Sequence, residues 1–168
     1  MSKQPKYEIG DVLPDIVVTD ADNQPTTLSQ EMGDKGLLLF ALRGTWCSFC
    51  VGQIHTMQKR YPVYSQLGVN SVFIVPEAQT KVWSFAISSP KPLPFGLHAD
   101  ESQAITDALT MRPDTPSERP LGIYLLDCER KIVWRYVGFE ADEYASQDAL
   151  IAAINDYLSS RPVESSVG

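Results

Sequence analysis

Arg43-Gly44-Thr45-Trp46-Cys47-Ser48-Phe49-Cys50 follows directly on the apolar run Leu37-Leu38-Leu39-Phe40-Ala41-Leu42. The run is too short to span a membrane and reads as a fully buried strand. Beyond the cysteines, Ile54, Met57, Tyr61, Tyr64 and Leu67 recur at helical spacing, so a helix begins at or near Cys50. A thiol between a strand end and a helix start meets unpaired backbone N–H groups and the positive end of the helix dipole, both of which favour an anion. The stretch therefore points to thiol chemistry. A free thiol of pKa about 8.5 is only about 3% ionised at pH 7, whereas one lowered to about 6.5 is roughly three-quarters ionised. The thiolate is the attacking species, so the shift raises its population, partly offset by lower intrinsic nucleophilicity. Cys47, which precedes the helix, is expected to be the exposed nucleophile. Cys50 is expected to be more buried and to resolve the mixed disulfide. Half a zinc site, or two structural cysteines, are the alternatives left by spacing alone.

The whole chain bounds this reading. Its 168 residues suit one domain with a real core, and no repeat or long low-complexity tract interrupts it. A net charge of −7 argues against nucleic acid as the main partner. Met1 to Tyr7 carries lysines without an apolar segment behind them, so no secretory signal is read there and the expected compartment is the cytoplasm. In that compartment a CxxC pair is catalytic or metal-binding more often than a structural bridge. No membrane partner is expected.

Outward from the cysteines, the elements fall in a regular order. Residues 1–10 read as a polar arm, residues 11–160 as the domain and residues 161–168 as a loose tail. Residues 16–28 read as an N-terminal hairpin around Asp20-Ala21-Asp22-Asn23, with Ser29 capping a helical turn. The CxxC helix runs to about Leu67, and Pro62 is expected to kink or divide it. Val72 to Val75 is a second buried strand, Thr80 to Ser88 an amphipathic helix, and Phe95 to His98 a short strand. Asp100 and Gln103 have the spacing of a capping box for the next helix. Arg112 to Arg119 is a proline-containing loop; Ile123 to Leu126 and Ile132 to Val137 pair antiparallel through the turn Asp127-Cys128-Glu129-Arg130. A last helix starts near Ser146 with Leu150, Ile151, Ile154, Tyr157 and Leu158 on one face. Strands alternating with helices imply parallel pairing, closed by an antiparallel edge. The fold class is α/β: a three-layer α/β/α arrangement with a central mixed sheet and an N-terminal β-hairpin.

Trp46-Cys47-x-x-Cys50 after a buried strand resembles the thioredoxin fold, and the longer pattern resembles its peroxiredoxin-like branch, the alkyl hydroperoxide reductase/thiol-specific antioxidant (redoxin) group. The matching stretches are Gly10-Asp11-x-x-Pro14-Asp15 with Asp22, Leu39-Phe40-x-x-Arg43-Gly44-x-Trp46-Cys47-x-Phe49-Cys50, Gly68-Val69, His98-Ala99-Asp100 and Pro120. The resemblance implies a thiol–disulfide oxidoreductase cycling Cys47 and Cys50, with an antioxidant or redox-homeostasis role. It implies protein or low-molecular-weight thiols and disulfides as partners, and no cofactor. It makes Arg43, Trp46, Arg119 and Pro120 supporting residues. Trp46 would shape the docking surface, Arg119 would set a guanidinium beside the reactive sulfur, and Pro120 would be a cis-proline facing the pair.

Departures from that family are visible too. Its peroxidatic sites read Pro-x-x-x-Thr-x-x-Cys. Placing Cys50 there puts Cys47 and Arg43 at the threonine and proline positions; placing Cys47 there puts Gly44 and Phe40 at them. A thiol peroxidase acting on hydroperoxides is thus the alternative rather than the first reading, and a non-catalytic redox sensor or binding module is a third. Cys128, His55 and His98 are read as non-catalytic. With no second pair at zinc-like spacing, no metal site is expected.

Overall fold

A computed structural model describes residues 5–115, 118–138 and 145–160. In chain order the first half holds β1 (Val17–Asp20), β2 (Pro25–Thr27), α1 (Leu28–Glu31), β3 (Gly36–Ala41), α2 (Ser48–Gln66) and β4 (Val69–Val75). The second half holds α3 (Gln79–Ser88), β5 (Gly96–Ala99), α4 (Ala104–Leu109), β6 (Leu121–Leu126), β7 (Ile132–Gly138) and α5 (Gln147–Ser160). The expected tail, the first four residues of the expected arm and residues 116–117 of the proline-containing loop lie outside the described residues.

Local chemistry accounts for the turns. Asp20 Oδ1 accepts the backbone N–H groups of Asp22 and Gln24, and Asn23 takes a left-handed φ of 61° that asparagine tolerates, so the chain reverses into β2. Thr27, rather than the expected Ser29, caps α1: its hydroxyl accepts from Gln30 N while the Gln30 side chain accepts from Thr27 N. The Asp100–Gln103 capping box does not form. Asp100 instead accepts both the N–H and the hydroxyl of Thr106, and Gln103 adopts φ 65° at the head of α4. Pro62 does not divide α2, since Met57 and Tyr64 on either side of it are buried in the same core.

Among the described residues the seven strands form one sheet in the order β2-β1-β5-β4-β3-β6-β7. β3, β4 and β5 run parallel; β6 lies antiparallel to β3, β7 to β6, and β1 to β5. The fully buried β3 alternates between two cores, as the period of two requires. Leu38 and Phe40 join Ile54 and Met57 of α2, Val82 of α3 and Ile154 of α5 on one face. Leu37, Leu39 and Ala41 join Leu28 of α1 and Leu109 of α4 on the other. Helices on both faces give the three-layer α/β/α architecture. Among the described residues, no helix is long and apolar enough to cross a membrane.

Strand direction decides what meets at the site. The C-terminal ends of parallel β3 and β4 lie at the same end of the sheet as the N-terminal end of antiparallel β6, with Ala41 level with both Ile74 and Gly122. The loops after Ala41 and Val75 and the segment before Leu121 therefore converge there, although they are far apart in sequence.

Two outcomes test this packing. Phe40 and Phe73 are register partners with stacked rings 4.3 Å apart, and Phe73 meets Phe95 at 4.6 Å. Phe40→Ala should cost about 3–5 kcal/mol in a urea titration. His98, fully buried on β5 opposite Asp20, has its pKa pushed down to about 4 by burial, with Asp20 opposing that shift. The unfolded imidazole takes up its proton first on acidification. The fold should therefore lose about 3 kcal/mol as pH falls from about 6.5 to 4, a slope that His98→Asn should flatten in pH-dependent urea melts.

Candidate active site

The site is built where β3 stops. Leu42 N donates to Ile74 O at 2.9 Å and carries the strand one residue further; Arg43, Gly44 and Thr45 then turn the chain into α2. Gly44 leaves room for the Trp46 ring. A Cβ there would lie 2.2 Å from Nε1 of the Trp46 indole.

Cys47 is the N-cap of α2, with extended φ and ψ of −87° and 113°, and its Sγ accepts the N–H of Cys50 at 3.4 Å. Sulfur here does what a serine or aspartate oxygen does at other helix starts. A second donor, Arg43 Nη1, lies 3.6 Å from the same sulfur. Cys50 Sγ in turn accepts the backbone N–H of Arg43 at 3.4 Å. The two thiols also share a hydrogen bond and titrate as a pair. The Cys50 thiol and backbone N–H and the Arg43 charge pull Cys47 well below the ordinary thiol range, against the upward push of burial. The bond to Cys47, reinforced by burial, drives Cys50 upward, so it holds its proton while Cys47 gives one up.

Both sulfurs are buried, with Cys47 only 3% exposed, which corrects the expectation of an exposed Cys47. Cys47 belongs to the same core cluster as Leu42, Ile54 and Ala145, and beside its sulfur lies Arg43. Its guanidinium rests on the sulfur and lies 5.2 Å from the Trp46 ring, while Trp46 itself stays half exposed. Phe49 adds a second half-exposed aromatic ring within the motif.

Arg119 and Pro120 arrive at the start of β6, though not in the expected roles. The buried Arg119 guanidinium is committed to Asp107 Oδ1 at 2.8 Å and Gln103 Oε1 at 3.0 Å. The cation beside the sulfur is Arg43 instead. Arg119 contributes its carbonyl oxygen, which accepts Arg43 Nε at 2.7 Å and so aims the Arg43 side chain. Pro120 is buried, but no cis peptide bond occurs among the described residues, so the expected cis-proline is a trans one. Trans is the isomer an X–Pro bond prefers by about 0.5–1 kcal/mol.

Some residues at the site carried no sequence signal. Glu77, two residues past β4, accepts the Thr45 N–H through Oε1 at 2.5 Å. Its place after a buried strand, at the end of the sheet where loops gather, is the only hint the sequence holds. Gln53 lines a cleft beside the first turns of α2 with Ser48, Phe49, Gly52 and Thr56. His55 is exposed on the surface of α2, and the Cys128 thiol donates to Asp34 O in the β6–β7 turn. Among the described residues no three His, Cys, Asp or Glu side chains gather as metal ligands.

The chain is similar to known proteins. The AhpC/TSA family profile matches residues 9–135. The chain is 29% identical over 139 residues to the thiol-disulfide oxidoreductase ResA of Bacillus thuringiensis, covering 82% of this chain and 75% of that one. It is 31% identical over 106 residues to the protein of the same name from Geobacillus kaustophilus, covering 62% and 59%. Among solved structures, the peroxidoxin BcpB of Mycobacterium tuberculosis superposes with a TM-score of 0.73 at 15% identity, over 92% of this chain and 98% of that one. A putative thiol:disulfide interchange protein DsbE from Chlorobium tepidum gives 0.67 at 20%, over 88% and 98%. These two structures share the fold.

The charge at the sulfur is open to direct test. Arg43→Ala should raise the pH midpoint of Cys47 alkylation by about one to three units, the usual effect of an opposite charge within contact distance. Iodoacetamide labelling followed by mass spectrometry across a pH series reads it.

Proposed function

The chain belongs to the AhpC/TSA family, and from that footing we propose that it is a thiol–disulfide oxidoreductase working through Cys47 and Cys50, with Cys47 the attacking sulfur. The observation that carries the reading is the Cys47 sulfur itself, capped by the Cys50 N–H and faced by Arg43.

The chemistry runs in two exchanges. The Cys47 thiolate attacks one sulfur of a substrate disulfide, forming a mixed disulfide and expelling the other sulfur as a thiolate, which takes a proton from water. While Cys47 is anionic, its bond and charge keep the proton on Cys50. Once Cys47 is tied to substrate that restraint is gone, and the Arg43 N–H to Cys50 Sγ favours the new thiolate. Cys50 then gives its proton to solvent and attacks Cys47 Sγ, closing the Cys47–Cys50 disulfide and releasing the second substrate thiolate. The substrate gains two electrons and two protons. An external dithiol restores the pair by the same exchange in reverse.

Trp46 and Phe49 offer apolar contact beside a covered sulfur, which suits a protein or thiol partner whose docking shifts Arg43 aside. We place the work in the cytoplasm, where a CxxC pair is kept reduced between turnovers, and the role in redox homeostasis. Hydroperoxide reduction is the second reading, favoured by the Arg43 cation at the sulfur. Against it stands the motif, which puts Gly44 or Cys47 where peroxidatic sites carry threonine.

Single substitutions distinguish the steps. Cys47→Ser should abolish reduction of a small aromatic disulfide, and Cys50→Ser should accumulate a mixed disulfide visible as a mass adduct on Cys47. In stopped flow, the wild-type dithiol should reduce disulfides rapidly while hydrogen peroxide oxidises Cys47 no faster than a simple thiol of equal pKa. The reverse order of rates selects the peroxidase.

A further inference from the structure

The loop that presents Cys47 is short, and what holds it decides where the sulfur sits. Cys47 N donates to Gly44 O at 3.2 Å, which closes the loop on itself. The N–H of Thr45, between them, is taken by Glu77 Oε1. Glu77 comes from a different connection, the β4–α3 loop. Its own N–H donates to Val75 O at 2.8 Å, a tight turn that sets the side chain at the strand end. The Glu77 side chain is only 9% exposed, and its other oxygen lies 3.7 Å from Nζ of the largely exposed Lys81.

The bond joins two loops that the strands bring side by side, beyond the point where Leu42 N donates to Ile74 O. A carboxylate accepting a backbone N–H in a part-buried setting is among the stronger hydrogen bonds available, and its loss leaves a donor unpaired. Two residues further on, Cys47 Sγ has to sit within reach of both the Cys50 N–H and Arg43 Nη1. A loop free to shift would lose both contacts together.

We propose that Glu77 is a positioning residue for the Cys47–Cys50 pair. By gripping the Thr45 N–H it fixes the loop in the one placement that brings the Cys47 sulfur to the start of α2 and under the Arg43 guanidinium. Glu77 touches neither sulfur and acts only through the backbone. The inference rests on Cys47 being the attacking thiolate. Its sign is distinctive: an acidic side chain close to a thiolate would by charge alone disfavour ionisation, whereas this one supports it through geometry. Glutamine separates the two effects, because its carbonyl oxygen keeps the acceptor and drops the charge.

The experiment compares the wild type with Glu77→Ala, Glu77→Gln and Glu77→Asp by Cys47 alkylation across a pH series, with disulfide reduction rates alongside. Glu77→Ala and the shorter Glu77→Asp should raise the midpoint by about one pH unit, a tenfold loss of thiolate below it. Glu77→Gln should stay at the wild-type midpoint or fall below it and keep the wild-type rate. Glu77→Asp preserves charge and polarity, so it carries the test if the alanine variant fails to fold. With the wild-type midpoint depressed, unmoved Ala and Asp variants overturn the role of Glu77 alone, and so does a Gln variant that rises as far as Ala. A wild-type midpoint at the ordinary thiol value of about 8.5 overturns the thiolate reading and this inference with it.

Discussion

Everything at the site follows from one interaction: the sulfur of Cys47 takes the place of an N-cap oxygen and accepts the N–H of Cys50. A helix start has N–H groups with no partner inside the helix, and an anion there satisfies them. The helix terminus alone is worth about 0.3–1 kcal/mol at a surface and up to about 2 where partly buried. At 1.36 kcal/mol per pKa unit, that supplies at most about one and a half units. The remaining downward pull must come from the Cys50 thiol and from Arg43, which also have to overcome burial. Each of these stabilises the dithiol over the disulfide. The arrangement therefore makes the couple more oxidising as well as making the sulfur more reactive.

The supporting residues form a chain of control outward from that sulfur. Arg43 is aimed by the carbonyl of Arg119, and Arg119 is itself clamped on Asp107 and Gln103 of the α4 region. On the other side the loop is gripped from the β4–α3 connection. None of these contacts is local in sequence. They exist because β3 and β4 run parallel and β6 runs against them, so that three distant segments end at one place.

Much of this was legible beforehand, and the failures have physical causes. The run from Leu37 to Leu42 reads as a strand buried on both faces because such a strand carries apolar residues without alternation, and Leu38 and Leu39 indeed serve opposite cores. The helix after Cys47 was legible from Ile54, Met57 and Tyr64, which are all buried. Burial of Cys47 was not legible, because the core cluster it joins includes residues as distant in sequence as Ala145. The resemblance assigned the cation to Arg119, yet Asp107, twelve residues earlier, competes for that guanidinium. Glu77 was invisible because an acidic residue after a strand is ordinary until the partner N–H across the loop is known. Thr27 displaced Ser29 as a cap because the reciprocal bond with Gln30 needs a spacing of three residues.

At neutral pH one sulfur of the pair is held as an anion while the other keeps its proton. Ultraviolet thiolate absorbance of the fully reduced protein, titrated with pH and repeated on Cys47→Ser to assign the signal, measures this directly. The expected result is one ionisation well below the ordinary thiol value of about 8.5, lost in Cys47→Ser, and a second well above it. Two thiols titrating together near that ordinary value would contradict the account.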